Sequence, residues 1–198
     1  MRNWSKVVFP LVILAISFGI AFSLHYFTIP ETETGFVCKE NISFSHTDIS
    51  CSSSTANYLI RSTSMWEMIT DQLDLYDSND NLIGRASDSY NFVSQDDHQI
   101  SVNGKRAVYM SGKFTFWGNQ KYSIFDENKK PIGTLASNIT NTVAKLKDSN
   151  GVEIAVFKRG IFSPHYIVEI LNPSNDFSTE HILLLFASYH SDYTADGE

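Results

Sequence analysis

One segment near the C-terminus, residues 180–190 with the sequence EHILLLFASYH, constrains the fold more than any other part of the chain. Ser178 or Thr179 can serve as an N-cap and Glu180 suits a first helical turn, so the segment is predicted to be a helix. Apolar residues cover its full circumference: Ile182, Leu183, Leu184, Leu185 and Phe186. A helix without a polar face must be buried on every side. About ten apolar residues are half of what a membrane-spanning helix needs.

The chain before this helix has the pattern of antiparallel β-strands. From Tyr58 onward, short runs rich in β-branched and aromatic residues alternate with Asn, Asp and Gly. Alternation is clearest in residues 106–117, 122–125, 143–146 and 166–170. Roughly ten to twelve strands at this spacing predict an antiparallel barrel or sandwich.

One hairpin module occurs in three copies, at residues 75–84, 124–133 and 146–155. Each copy has a hydrophobic strand, an Asp, several turn-forming residues and a second strand that begins around an Ile. Asp and Asn side chains hydrogen-bond their own backbone and tolerate left-handed conformations, so each copy is predicted to be a hairpin.

The first copy also has the ligand spacing of an EF-hand calcium loop, formed by Asp77, Asn79, Asn81 and Asp88. Leu82 stands where that loop requires Gly, and the flanking residues have strand patterns rather than helical ones. We therefore favour a hairpin over a calcium site.

The strands and the apolar helix together predict a closed barrel. A barrel of about twelve strands has a lumen too wide for side chains alone to fill, and the helix needs burial on every side. We predict a mainly β fold over residues 58–198: a closed antiparallel β-barrel of about twelve strands around a central C-terminal hydrophobic α-helix.

The N-terminus predicts a separate transmembrane helix at residues 7–27, which carry no charge and match the ~30 Å hydrocarbon core. Bases precede this run and acids follow it: Arg2, Lys6, Glu31 and Glu33. The positive-inside bias then keeps residues 1–6 in the cytoplasm and exports the rest. A cleaved signal peptide is the alternative, since Ala21-Phe22-Ser23 suits cleavage, but the apolar run is longer than an ordinary signal-peptide core. We expect a single-pass membrane protein with an extracytoplasmic C-terminal domain, whether periplasmic, lumenal or extracellular.

Residues 28–57, rich in Thr, Ser and Glu, are predicted to form a stalk. Cys38 and Cys51 lie within it, and an even number of cysteines in an exported segment predicts a disulfide. Two buried thiols are the alternative, and two cysteines are too few ligands for a metal site. In a host that glycosylates, Asn41-Ile-Ser and Asn138-Ile-Thr are the acceptor sequences.

Charge is segregated along the chain, whose net charge is −7. Residues 105–159 carry ten bases against four acids. This local excess could attract anionic lipid headgroups, and alternating charges on solvated strand faces are the alternative. The candidate headgroup contacts are Lys145, Lys147, Lys158 and Arg159.

The hairpins of the form strand, D-x-x-(x)-x-x-I-G, strand, followed by an apolar C-terminal helix, resemble the tubby C-terminal-like superfamily. That superfamily includes the tubby domain, the phospholipid scramblases and the plant LURP-one-related proteins. The resemblance covers residues 66–193 and is closest in residues 122–135, 143–157 and 182–193. It implies the barrel with a central helix, and either lipid binding or participation in phospholipid transfer or scrambling.

This chain departs from the superfamily in several respects. Familiar members present the domain to the cytosol, whereas the N-terminal charges predict export here. The Pro-rich N-terminal region and the Cys-rich palmitoylation stretch of scramblases are absent. Tubby proteins bind phosphoinositides through Lys and Arg residues on strands, and the four basic residues named above cannot be matched to that set one by one.

Catalytic patterns are absent from the sequence, which has no G-x-S-x-G, H-E-x-x-H or P-loop motif. Asp96-Asp97-His98 could supply half of a metal site, but an exposed loop is the favoured interpretation. His181 and His190 are predicted to mark the two ends of the helix at the barrel mouths. We therefore expect a non-enzymatic binding or scaffold module for lipid headgroups or a protein partner, with no metal, cofactor or nucleic acid. Phospholipid transfer or scrambling is the alternative, disfavoured because a barrel filled by a helix offers lipid no path.

Overall fold

The computed structural model describes residues 35–42, 47–62, 72–88, 97–112, 120–159, 165–172 and 174–195. Within these ranges the chain forms twelve strands and one helix. The elements are β1 (Phe36–Ile42), β2 (Thr47–Ser52), β3 (Asn57–Ser62), β4 (Gln72–Tyr76), β5 (Leu82–Asp88), β6 (Asp97–Val102), β7 (Val108–Gly112), β8 (Lys121–Asp126), β9 (Pro131–Ser137), β10 (Val143–Asp148), β11 (Glu153–Arg159), β12 (His165–Ile170) and α1 (Thr179–Ala195).

The strands form a closed antiparallel barrel. Each strand pairs with the next one along the chain, and β1 pairs with β12 to close the ring. In the closing register Cys38 lies opposite Tyr166. The prediction of a mainly β, closed barrel of about twelve strands is confirmed.

Side chains alternate between an inner and an outer face, as the pleat of a strand requires. In β8, Tyr122, Ile124 and Asp126 are buried, while Lys121 and Ser123 are exposed. The inner faces of the strands build the core, and the outer faces form the wall that a partner would meet.

Helix α1 lies inside the barrel. Every residue from His181 to His190 is buried, and the predicted core residues 182–186 are at most 2% exposed. A Cβ atom on Gly84 of β5 would lie 3.0 Å from Leu184 Cδ1, whereas the Phe186 ring lies 5.6 Å from that of Phe157 on β11. Because β5 and β11 are on opposite sides of the ring, α1 fills the space between them.

The three predicted hairpins are confirmed, and each is organised by its Asp. One carboxylate oxygen of Asp77, Asp126 or Asp148 accepts hydrogen bonds from the backbone N–H groups two and four residues later, at 2.8–2.9 Å. The residue three positions after each Asp has a positive φ: Asp80, Lys129 and Gly151. These carboxylates therefore hold turns together, consistent with the choice of a hairpin over a calcium loop at Asp77.

The structure corrects the predicted stalk at residues 28–57, because residues 36–42 and 47–52 belong to the barrel as β1 and β2, and β3 begins at Asn57. Phe36, Cys38, Ile49 and Cys51 face inward and are buried. Cysteines inside a barrel act as small apolar residues, so a stretch rich in Ser and Thr still supplies an inner face. The predicted disulfide is confirmed: Cys38 and Cys51 lie directly opposite each other on β1 and β2, with an S–S distance of 2.05 Å.

The predicted transmembrane helix at residues 7–27 lies outside the described residues, as do residues 1–6. Among the residues that the structure describes, no helix is long and apolar enough to cross a membrane.

Candidate functional site

The lumen is occupied by the protein's own side chains. Around the C-terminal half of α1, the Phe186 ring lies 5.5 Å from that of Tyr166, and the Tyr189 ring lies 6.3 Å from that of Tyr122. These edge-to-face and tilted contacts fill the space between helix and wall. A partner therefore has to bind at the outer wall or at a mouth of the barrel.

Five lysines point outward on β1, β8, β10 and β11, and we call the surface from β8 to β12 and β1 the lysine wall: Lys39, Lys121, Lys145, Lys147 and Lys158. Lys121 on β8 and Lys145 on β10 lie opposite the same residue, Ala136 of β9. Neighbouring strands are about 4.8 Å apart, so the bases of these two side chains are roughly 10 Å apart. Flexible side chains of this length can bring their amino groups to one anion or to adjacent ones.

Two glutamates on the same wall partly neutralise it. Lys145 Nζ lies 2.8 Å and Lys147 Nζ 3.7 Å from Glu153 Oε1, and Lys158 Nζ lies 2.7 Å from Glu169 Oε2. The hydrogen bond from Lys145 and the positive charges of both lysines lower the pKa of Glu153. Five lysines against two glutamates leave an excess of three positive charges. The three paired lysine side chains remain 42–49% exposed, so these ion pairs are open to exchange with an outside anion.

The structure separates Arg159 from the predicted lysines. Arg159 lies opposite Tyr166, whose side chain faces inward, and it belongs to a mouth cluster with Glu40 and His190. Tyr166 Oη donates to Glu40 Oε2 at 3.3 Å, and His190 Nε2 lies 3.3 Å from the same oxygen. The contact with His190 is the largest cause of a lowered pKa of Glu40, assisted by Tyr166 and Arg159 and opposed by burial. Burial and the charge of Glu40 raise the pKa of Tyr166.

The mouth cluster ties α1 to the wall, and the described residues leave little space beside it. The space beside it, lined by Arg159, Tyr166 and His190, has a volume of about 10 Å³. That is the room that one water molecule needs. We therefore assign this cluster to the anchoring of the helix.

The Asp96–His98 segment differs from its prediction as an exposed loop. His98 is the second residue of β6, is 4% exposed, and its Nε2 lies 2.8 Å from Asp192 Oδ1 on α1. Asp96 lies outside the described residues. His98, Ile100 and Val102 take the buried positions of the alternation in β6.

His181 and His190 lie near opposite ends of the lumen, as predicted. His181 Nε2 donates to the Arg106 carbonyl at 2.9 Å, so its Nδ1 is left to accept from Ser178 Oγ at 3.1 Å. This is the neutral imidazole, and burial lowers the pKa of His181. The helix is longer than the predicted ten residues. It continues past the buried His190 through the half-buried Ser191 and Asp192, and it ends at Ala195.

The two predicted glycosylation acceptors differ in setting. Asn41 is exposed on β1. Asn138 is also exposed, but its Oδ1 accepts from the backbone N–H groups of Thr142 and Val143, at 2.9 and 3.2 Å. Modification of Asn138 would have to preserve or replace these loop contacts.

Sequence reasoning missed Lys39 and Lys121 as members of the lysine wall. For Lys121 the signal was present, because Tyr122 next to it belongs to the inward set, and choosing bases by strand alternation rather than by local density would have included Lys121 and omitted Arg159. Lys39 could not be found in this way, because the sequence predicted a stalk where the structure has β1. Comparisons of the chain with protein-family models, curated proteins and solved structures found no match.

Proposed function

We propose that this chain is a non-enzymatic, tubby-like barrel anchored in a membrane by residues 7–27, with its C-terminal domain outside the cytoplasm. The barrel binds anionic lipid headgroups at the bilayer surface through the lysine wall. The observation that carries this proposal is the excess of three positive charges on one outer face, from β8 to β12 and β1.

The opposite side of the barrel has a different charge arrangement, which makes the lysine wall the favoured contact surface. From β2 to β5, Asp48, Arg61, Asp74 and Arg85 lie side by side in one cross-strand row. Asp48 pairs with Arg61 at 3.0 Å and Asp74 with Arg85 at 2.6 Å. This row is neutral, so an anionic surface gains nothing by facing it.

The binding free energy that we expect from the lysine wall is suited to reversible binding. A basic residue near an anionic bilayer contributes about 1 kcal/mol. Three uncompensated charges then give roughly 3 kcal/mol, which a membrane anchor would supplement by holding the wall near the surface. Phospholipid transfer or scrambling receives less support, because α1 occupies the lumen through which a lipid would have to pass.

Vesicle flotation of a shortened protein, residues 30–198, tests the proposal, since this range includes all twelve strands and α1. We expect it to float with phosphatidylserine-containing vesicles and not with pure phosphatidylcholine, and to be released as salt rises. Changing Lys121, Lys145 and Lys158 together to Gln should abolish most of the binding.

A control of equal charge uses Lys105, Lys129 and Lys130, which lie in turns outside the wall, each changed to Gln. This variant should float like the unchanged protein. Equal losses in both variants would indicate binding by net charge alone, and undiminished binding of the wall variant would point to a protein partner instead.

A further inference from the structure

A groove on the outer wall of β5 to β8 has a volume of about 440 Å³. Pockets that bind small molecules have volumes of about 300–1,000 Å³. The residues that matter for its chemistry are Ser87, Gln99, Tyr109, Ser111, Phe125 and Glu127. The groove meets the lysine wall on β8, where Phe125 lies four residues from Lys121, and the other members of the wall lie on β1, β10 and β11.

Four of these residues form one row across the wall. Ser87 lies opposite Gln99, Gln99 opposite Tyr109, and Tyr109 opposite Phe125. The row therefore runs from a hydroxyl to an amide and then to two neighbouring aromatic rings, over about 15 Å at 4.8 Å per strand. Ser111 lies on the same face of β7 as Tyr109, two residues along. Half of the row is an apolar platform, and the other half offers uncharged donors and acceptors.

The acidic groups beside the groove are already engaged. Asp126 Oδ1 accepts the backbone N–H groups of Asn128 and Lys130, both at 2.9 Å. Arg106 lies 3.7 Å from Asp126 Oδ2 and 3.9 Å from Glu127 Oε1. At the edges Asp97 and Lys129 carry opposite charges. With Arg106 counted, three acidic and two basic side chains leave one net negative charge at the groove, which disfavours an anionic ligand.

We infer that this groove binds a neutral saccharide of one or two rings. The apolar face of a sugar ring can lie against Tyr109 and Phe125, as flat ligands do on aromatic platforms. Its hydroxyl groups can donate to and accept from the side chains of Gln99, Ser87 and Ser111, which present amide and hydroxyl groups. The volume of the groove limits the ligand to this size.

Binding of the full-length chain to an array of neutral mono- and disaccharides tests the inference, with sialylated and sulfated glycans as the charged comparison. The protein is purified in a detergent without a sugar headgroup, which would otherwise compete. We expect binding to neutral members, and for the tightest of them, measured by calorimetry, roughly a tenfold or greater loss for Tyr109→Ala and for Phe125→Ala.

The matched control is Tyr76→Ala, which removes a half-buried aromatic ring at the end of β4, outside the groove. Its affinity should stay within about twofold of the unchanged protein, and thermal melting checks that all three variants are folded. Absence of binding to every neutral glycan, a preference for charged glycans, or an equal loss in Tyr76→Ala would overturn the inference. The lysine-wall variant should keep its saccharide binding, which separates this site from headgroup binding.

Discussion

At the scale of single residues, the hairpin turns show how the sequence controls backbone conformation. The three turns share the same Asp-centred hydrogen bonds, but their left-handed position holds Asp80, Lys129 or Gly151. Glycine adopts this conformation without steric cost, Asp tolerates it, and a long side chain is disfavoured by about 1–2 kcal/mol. The three turns should therefore differ in stability in a predictable order.

Lys129→Gly should raise the free energy of unfolding by about 0.5–1 kcal/mol, since the gain is partly offset by the greater freedom of Gly in the unfolded chain. Gly151→Ala should lower it by about 1 kcal/mol for conformational reasons alone, because a Cβ there meets nothing within 4 Å. Urea unfolding of residues 30–198 measures both. Asp80→Gly should give a smaller gain than Lys129→Gly, and the reverse order would contradict the argument.

A second prediction at the scale of single residues concerns His181 and the pH dependence of the protein's stability. Burial lowers the pKa of His181, opposed by the Arg106 carbonyl and Glu180 and assisted by Lys105. The unfolded chain takes up this proton near pH 6.5, whereas the folded protein takes it up only at lower pH. Just below pH 6.5 the unfolded state therefore binds more protons, and stability falls as pH falls through this window.

His181→Gln should remove that contribution while keeping an amide donor for the Arg106 carbonyl. Urea midpoints measured from pH 8 to pH 5 should fall less steeply for the variant than for the unchanged protein. Parallel curves would show that His181 does not have to stay neutral in the fold.

At the scale of elements, the sequence predicted the helix and the hairpin turns, which are encoded by the periodicity of apolar residues and by turn-forming residues. An apolar circumference identified α1, and Asp-rich turns identified three hairpins, because both signals are local. The membership of β1 and β2 was missed because their inner faces rest on Phe36, Cys38, Ile49 and Cys51 among many polar residues. The side to which Arg159 points was missed because the candidate bases were chosen by local density, whereas alternation from the buried Phe157 places Arg159 on the inner side of β11.

The packing of α1 against β5 gives a prediction for these two elements. Leu184→Ala should cost about 2–5 kcal/mol through the cavity it leaves. Leu82→Ala, at an exposed position of β5, should change stability by no more than about 0.5 kcal/mol. Gly84→Ala as a single change should destabilise the protein, because its Cβ would lie 3.0 Å from Leu184 Cδ1 and 3.2 Å from the Ser101 carbonyl oxygen.

The double variant tests the contact directly. In the Leu184→Ala background the Gly84→Ala change should cost clearly less, because its methyl group enters space that Leu184 has left. If the losses in the free energy of unfolding, measured with urea, are additive, the two side chains do not share this space.

At the scale of the whole molecule, α1 fills the lumen, so the described residues offer their outer wall and the barrel mouths as surface. The wall has at least two regions of different chemistry, the positive lysine wall on β8 to β12 and β1, and the near-neutral groove on β5 to β8. Headgroup binding by the first region implies a definite orientation, in which β9 and β10 face the bilayer and β6, three strands from β9 round the ring, does not. The orientation follows from the strand order, so it can be measured independently of affinity.

The most direct measurement places an environment-sensitive fluorophore on a single introduced thiol, since both native cysteines are joined in the buried disulfide. Ala136→Cys puts the label between Lys121 and Lys145, and Ser101→Cys puts it on β6. On vesicles that contain phosphatidylserine, we predict a blue shift and protection from an aqueous quencher at position 136, with neither change at position 101. Equal responses at the two positions, or a response at position 101 alone, would contradict binding through the lysine wall.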